Sequence, residues 1–186
     1  MLKIKSLLVL MFCALTAAAS AKSSLGWDEV GNANFRFLFK KITNATLLVS
    51  AAQSPASLFD VSYPKRIEIE YFVSASAQKL AELTEENLYS RSDWLALDDD
   101  AKQEAAEFLS WYRDVEPGDK YQLEWQVAGG RFAGLVLSFN GEVLGTVAEA
   151  EIAAVLLGVW LGPEAISVRQ SKRLEQAWQA WVLNQS

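Results

Sequence analysis

Apolar and polar positions alternate with a period of two in several stretches, and this spacing marks strands with one buried face. Phe35, Phe37 and Phe39 alternate with Arg36, Leu38 and Lys40, and a second apolar run from Ala45 to Val49 predicts a pair of strands. Ile67, Ile69, Tyr71 and Val73 alternate with Glu68, Glu70 and Phe72; further on, Tyr121, Leu123, Trp125 and Val127 alternate with Gln122, Glu124 and Gln126. The run from Phe132 to Phe139 is apolar on both faces apart from Ser138, and Asn140-Gly141 is a strong two-residue hairpin signal before a returning strand over 142–147.

Elsewhere the period becomes helical. A helix is predicted from Ala77 to Tyr89 and another opens at Asp98–Asp100, with Ala101, Ala105, Phe108, Leu109 and Tyr112 on one stripe. The three aspartates suit a helix start, where the dipole favours negative charge. They lack the alternating Asp/Asn pattern, central glycine and terminal glutamate of a calcium loop. Ile152, Val155, Leu156, Val159 and Trp160 form the next stripe, closed by Gly162-Pro163. Ser167-x-x-Gln170 reads as a capping box for a last helix with Leu174, Ala177, Trp178, Trp181 and Val182 on its apolar face. Strands, helices, a three-strand meander and helices again describe an α+β domain with an antiparallel sheet and helices packed on one face.

The first 21 residues read as a signal peptide: Lys3 and Lys5, an apolar run from Leu7 to Leu15, and Ala19-Ser20-Ala21 as the cleavage pattern. The apolar run is shorter than the ~20 residues of a spanning helix. The expectation is therefore a periplasmic or secreted protein without stable membrane insertion, comprising one domain over 22–186. The only cysteine, Cys13, falls in the leader, so the core alone must hold the exported fold. Without Lys3 and Lys5 the chain keeps 15 basic against 23 acidic residues, a formal charge of −8, which disfavours a nucleic-acid partner. Absence of histidine removes the commonest general base and metal ligand, so neither a metal nor another cofactor is expected.

Two chemical patterns have simpler structural readings. Ser76-x-x-Lys79 has the spacing of penicillin-recognising enzymes, but Ser-Asp-Asn and Lys-Thr-Gly partners are absent and a helix start explains it equally. Of seven tryptophans, Trp125, Trp160, Trp178 and Trp181 lie on apolar faces and read as core. Trp27, Trp94 and Trp111 remain candidates for a pocket or partner surface.

Gly31-x-Ala33-x-Phe35-Arg36-Phe37-Leu38-Phe39 followed by Asn44-Ala45-Thr46-Leu47 resembles the opening strands of the bacterial chalcone isomerase-like family. Pro64 with Ile67-Glu68-Ile69-Glu70-Tyr71, Val115-x-x-Gly118-Asp119, Phe139-Asn140-Gly141-x-x-x-Gly145 and Val159-Trp160-Leu161-Gly162 resemble its later segments in order, and Arg169-Gln170-Ser171 is similar to the last helix of plant relatives. The resemblance implies an open-faced β-sandwich with a ligand cleft between sheet and helices. It also implies one of two functions: non-catalytic binding of a small amphipathic or fatty-acid-like molecule, or intramolecular lyase chemistry on an α,β-unsaturated ketone, in which a cleft arginine stabilises an enolate. By motif alignment that arginine position holds Asn34, while Arg36 stands two residues on along the strand. The candidate catalytic residues are then Arg36, Thr43 and Asn87, and the candidate ligand-binding residues Asn34, Arg36, Thr43 and Tyr71. An envelope structural or partner-binding role is the third class, motivated by the acidic balance and the three unassigned tryptophans.

Overall fold

The computed structural model of the protein describes residues 26–50 and 57–185. The leader expected over 1–21, with Cys13, lies outside the described residues. These form one six-stranded antiparallel sheet in the chain order β1 (Trp27–Phe37), β2 (Lys40–Ser50), β3 (Lys65–Tyr71), β4 (Lys120–Ala128), β5 (Arg131–Phe139) and β6 (Glu142–Val147). Between β3 and β4 come α1 (Ala77–Tyr89), α2 (Ser92–Leu95) and α3 (Asp99–Ser110); α4 (Ala150–Gly158) and α5 (Val168–Gln185) follow the sheet.

The alternation in the sequence sorts the two faces as expected. In β3, Ile67, Ile69 and Tyr71 are buried while Arg66, Glu68 and Glu70 are only half-buried. Register aligns buried residues into rungs, for instance Ala33 opposite Ala45, Ala45 opposite Ile69 and Ile69 opposite Tyr121. The other face carries polar ladders: Arg66 Nε donates to Glu124 at 3.0 Å and Gln122 Nε2 to Glu68 at 2.7 Å. Helices cover the apolar face, with Leu80, Leu88, Phe108, Ile152, Leu156, Leu174 and Trp178 in the common core. The architecture is therefore α+β, an open-faced β-sandwich.

Helix starts follow local chemistry. Ser76 Oγ accepts from Lys79 N at 3.2 Å and Asp98 Oδ1 from Ala101 N at 2.9 Å, each satisfying an amide that has no partner within its helix. The Lys79 ammonium sits 3.4 Å from Glu82 rather than on Ser76, so this pair is a cap and a surface ion pair. Ser167 Oγ accepts from Gln170 N at 3.3 Å, half of the expected capping box. The Gln170 amide does not reach back; it donates instead to the Ala33 carbonyl of β1 at 2.8 Å, in a buried bond.

Two expectations are corrected and one short element is added. The first strand does not run through Phe39: it starts at Trp27, and Leu38 and Phe39 form the turn into β2, with φ of 45° and 71°. The helix expected to reach Gly162 ends at Gly158, because Val159 and Trp160 keep facing the core from the turn that follows. The four-residue α2 went unforeseen, being too short for a periodicity to show.

The unassigned tryptophans are not exposed. Trp94 is buried; Trp111 packs on Phe108 with ring centroids 5.5 Å apart; Trp27 lies under the Arg66 guanidinium, 4.4 Å from its ring centre. With Trp94 buried and Trp27 and Trp111 half-buried, none of the three stands exposed as an anchor for a partner surface.

Candidate functional site

The sheet and helices part at one end of the molecule. Phe35 pairs with Thr43, and Thr43 with Tyr71, so three neighbouring strands bring these side chains onto one rung. Just past that rung the register slips: Arg36 pairs with Lys41, and Ile42 is left unopposed. Such a bulge re-aims side chains, and here both Ile42 and Thr43 line the same cavity. Its volume is about 140 Å³, with Leu80, Leu83 and Thr84 of α1, Tyr112, and Val159, Trp160 and Ile166 after α4 as further walls.

The lining is almost wholly apolar, and its few polar groups can be assigned. Thr84 Oγ1 donates to the Leu80 carbonyl at 2.9 Å, so the 3.2 Å contact between Thr84 Oγ1 and Tyr112 Oη must be a hydrogen bond donated by Tyr112. Burial raises both Tyr112 and Tyr71 well above the ordinary phenol range, which keeps both neutral. The hydroxyls of Thr43 and Tyr71 have no hydrogen-bond partner among the described residues. They can meet a polar atom of a ligand.

A second, polar pocket of about 340 Å³ adjoins the cavity at Phe35 and Ser167, which line both. Asn34 and Arg36 of the edge strand and Arg169 and Arg173 of α5 complete it. None of the three guanidinium groups has an ion-pair partner among the described residues. Asn34 Oδ1 is buried with no hydrogen-bond partner among them.

The sequence-derived candidates therefore separate. Thr43 and Tyr71 line the apolar cavity; Asn34 and Arg36 line the polar pocket beside it. Asn87 lines neither, its Nδ2 donating to the Glu164 carbonyl at 2.9 Å. Arg173, Thr84 and Tyr112 were not among the chosen site residues. Nothing in local sequence could bring Arg173 to β1.

An open-faced antiparallel sandwich whose apolar cleft opens between sheet and helices defines a class of small-ligand folds. Within it, the profile described as chalcone isomerase-like matches residues 35–174, and the chain belongs to that family. Among solved structures, the fold is similar to that of a fatty-acid binding protein from Arabidopsis thaliana, with a TM-score of 0.54 at 13% identity, covering 86% of this chain and 89% of that one. A comparison with curated proteins gave no match.

Proposed function

We propose that the protein is an exported, non-catalytic binding protein for a small amphipathic, fatty-acid-like molecule. The apolar tail occupies the cavity between sheet and helices, and the polar end lies toward the arginine pocket. The observation that carries this reading is the adjacency of the two: an apolar cavity of about 140 Å³ sharing Phe35 and Ser167 with a pocket holding three unpaired arginines. Apolar clefts with a few placed polar groups suit such ligands. The shared fold with a protein described as fatty-acid binding supports the same reading.

The lyase alternative is the weaker reading, because its candidate electrophile Arg36 lines the adjoining pocket and not the apolar cavity. No cationic side chain lines the apolar cavity, where only neutral hydroxyls and the Gln170 amide could meet a developing enolate. Loss of one such donor commonly costs ~100-fold or more in rate. The test is native mass spectrometry of protein purified from its own periplasm, with a chalcone-absorbance assay alongside. A co-purifying anionic amphiphile and no acceleration over buffer are the expected results. Empty protein that binds no acyl chain would overturn the binding reading, and turnover of a chalcone would restore the lyase.

A further inference from the structure

The β1–β2 hairpin ends in Phe37, Leu38 and Phe39, which are 63%, 79% and 95% exposed. Nothing in the turn itself calls for these residues. Leu38 and Phe39 have φ of 45° and 71°, in the left-handed region that bulky residues avoid. The sheet contains its own control. The β5–β6 hairpin makes a two-residue turn with similar angles, φ of 49° and 86°, and fills it with Asn140-Gly141, the pair such a turn favours. The first hairpin instead holds two large apolar side chains in strained positions at the most exposed point of the sheet edge, where neither packing nor turn geometry is served.

The surroundings specify what the tip meets. Arg36, Lys40 and Lys41 flank it, and no acidic residue occurs between Glu29 and Asp60, although the whole chain has a net charge of −6. Arg169 and Arg173 extend the basic rim through the pocket they share with Arg36. Exposed aromatic and aliphatic side chains ringed by cations match the interfacial region of an anionic bilayer, where apolar groups enter the acyl boundary and lysine and arginine meet headgroup phosphates. The Phe35–Thr43 rung at the cavity lies two strand residues from the Phe37–Lys40 pair, or about 7 Å at the usual rise.

We infer that the Phe37–Phe39 hairpin tip docks the protein on an anionic lipid surface, with the mouth of the cleft turned toward the bilayer. This docking stands on the hairpin alone. Its corollary, that an amphiphile passes between membrane and cavity without crossing bulk water, rests on the ligand reading above.

The test uses full-length protein without its leader in co-sedimentation with large vesicles of phosphatidylcholine, alone or mixed equally with phosphatidylglycerol. Binding is expected only to the mixed vesicles and should weaken with added salt. The double variant Leu38→Asn/Phe39→Gly installs the unstrained turn, so it should melt no lower than the wild type while binding vesicles at least about tenfold more weakly. Lys40→Gln should weaken binding about fivefold. The assignment is overturned if the wild type ignores phosphatidylglycerol, if the double variant sediments equally well, or if the tip proves to be needed only for a soluble protein partner. Alkanoate binding in solution, measured on the same double variant, should be unchanged. Its loss in wild type and variant alike would remove the ligand reading and leave the docking result intact.

Discussion

Chain length is the sharpest probe of the cleft. An apolar cavity of about 150 Å³ holds one benzene, so the 140 Å³ space between the Phe35–Thr43–Tyr71 rung and the helices has room for about six carbons. In a series of straight-chain carboxylates, each methylene that enters should contribute about 0.8 kcal/mol, close to fourfold in Kd. The increments should stop once the space is filled, giving a steep limb and then a plateau near six to eight carbons. Isothermal titration calorimetry reads this directly, with an increasingly negative heat-capacity change along the steep limb only. Val73→Phe, which places a ring in the cavity wall, should flatten the steep limb. A primary alcohol of equal length should bind about tenfold more weakly than the acid if the arginine pocket holds the carboxylate. A flat series would refute tail burial. An unbroken slope into long chains would refute the volume argument.

Three further outcomes follow from packing and ionisation. A Cβ on Gly31 would lie 2.6 Å from Ala177 Cβ where α5 crosses β1, so Gly31→Ala should lower stability by about 1–3 kcal/mol in urea denaturation, and Ala177→Gly should recover part of the loss. Gln170→Ala leaves the buried Ala33 carbonyl without its 2.8 Å donor and should cost a similar ~1–3 kcal/mol, loosening the edge strand in hydrogen exchange. Burial lowers Lys65 to about 8, against the pull of Asp60. Between about pH 8 and pH 10 the native state therefore binds fewer protons than the unfolded chain, and stability should rise with pH, by up to about 3 kcal/mol. Above about pH 10 the buried Tyr63, Tyr71 and Tyr112, all raised by desolvation, reverse the slope. Lys65→Met should abolish the rise; its persistence would place its origin elsewhere.

Elements with a strong internal period were legible from sequence. The alternation in β3 and β4, the Asn140-Gly141 turn and the Ser76 and Asp98 caps were all read from short-range signals that tertiary packing left in force. The Leu38-Phe39 turn was not, because Phe35, Phe37 and Phe39 continue a strand-like alternation through the turn and neither glycine nor asparagine interrupts it. The site divided in the same way. Thr43 and Tyr71 could be reached through resemblance to a family. The role of Gln170 was hidden because its half of a capping box is real in the backbone while its amide serves β1. Arg173 approaches Arg36 only through the packing of α5 along the edge strand, and no local pattern records that contact.

Residue size along β1 and β2 explains why the cleft lies where it does. Under the body of α5 the sheet presents Gly31, Ala33 and Ala45, small enough for Ala177 to lie on the backbone of β1 and for Gln170 to reach the Ala33 carbonyl. One rung further the residues become Phe35, Thr43 and Tyr71, and the Ile42 bulge turns one more side chain inward. α5 begins at Val168, close to this change, so the larger side chains face the turn that leads into it rather than helix. Space opens at the transition, and the first turns of α5 deliver Arg169 and Arg173 to its rim. An apolar hollow ending in arginines is thus a consequence of where small residues give way to large ones. If so, exchanging Ala33 for a bulkier residue should lift α5, separate Arg173 from Arg36 and weaken carboxylate binding without touching the cavity wall.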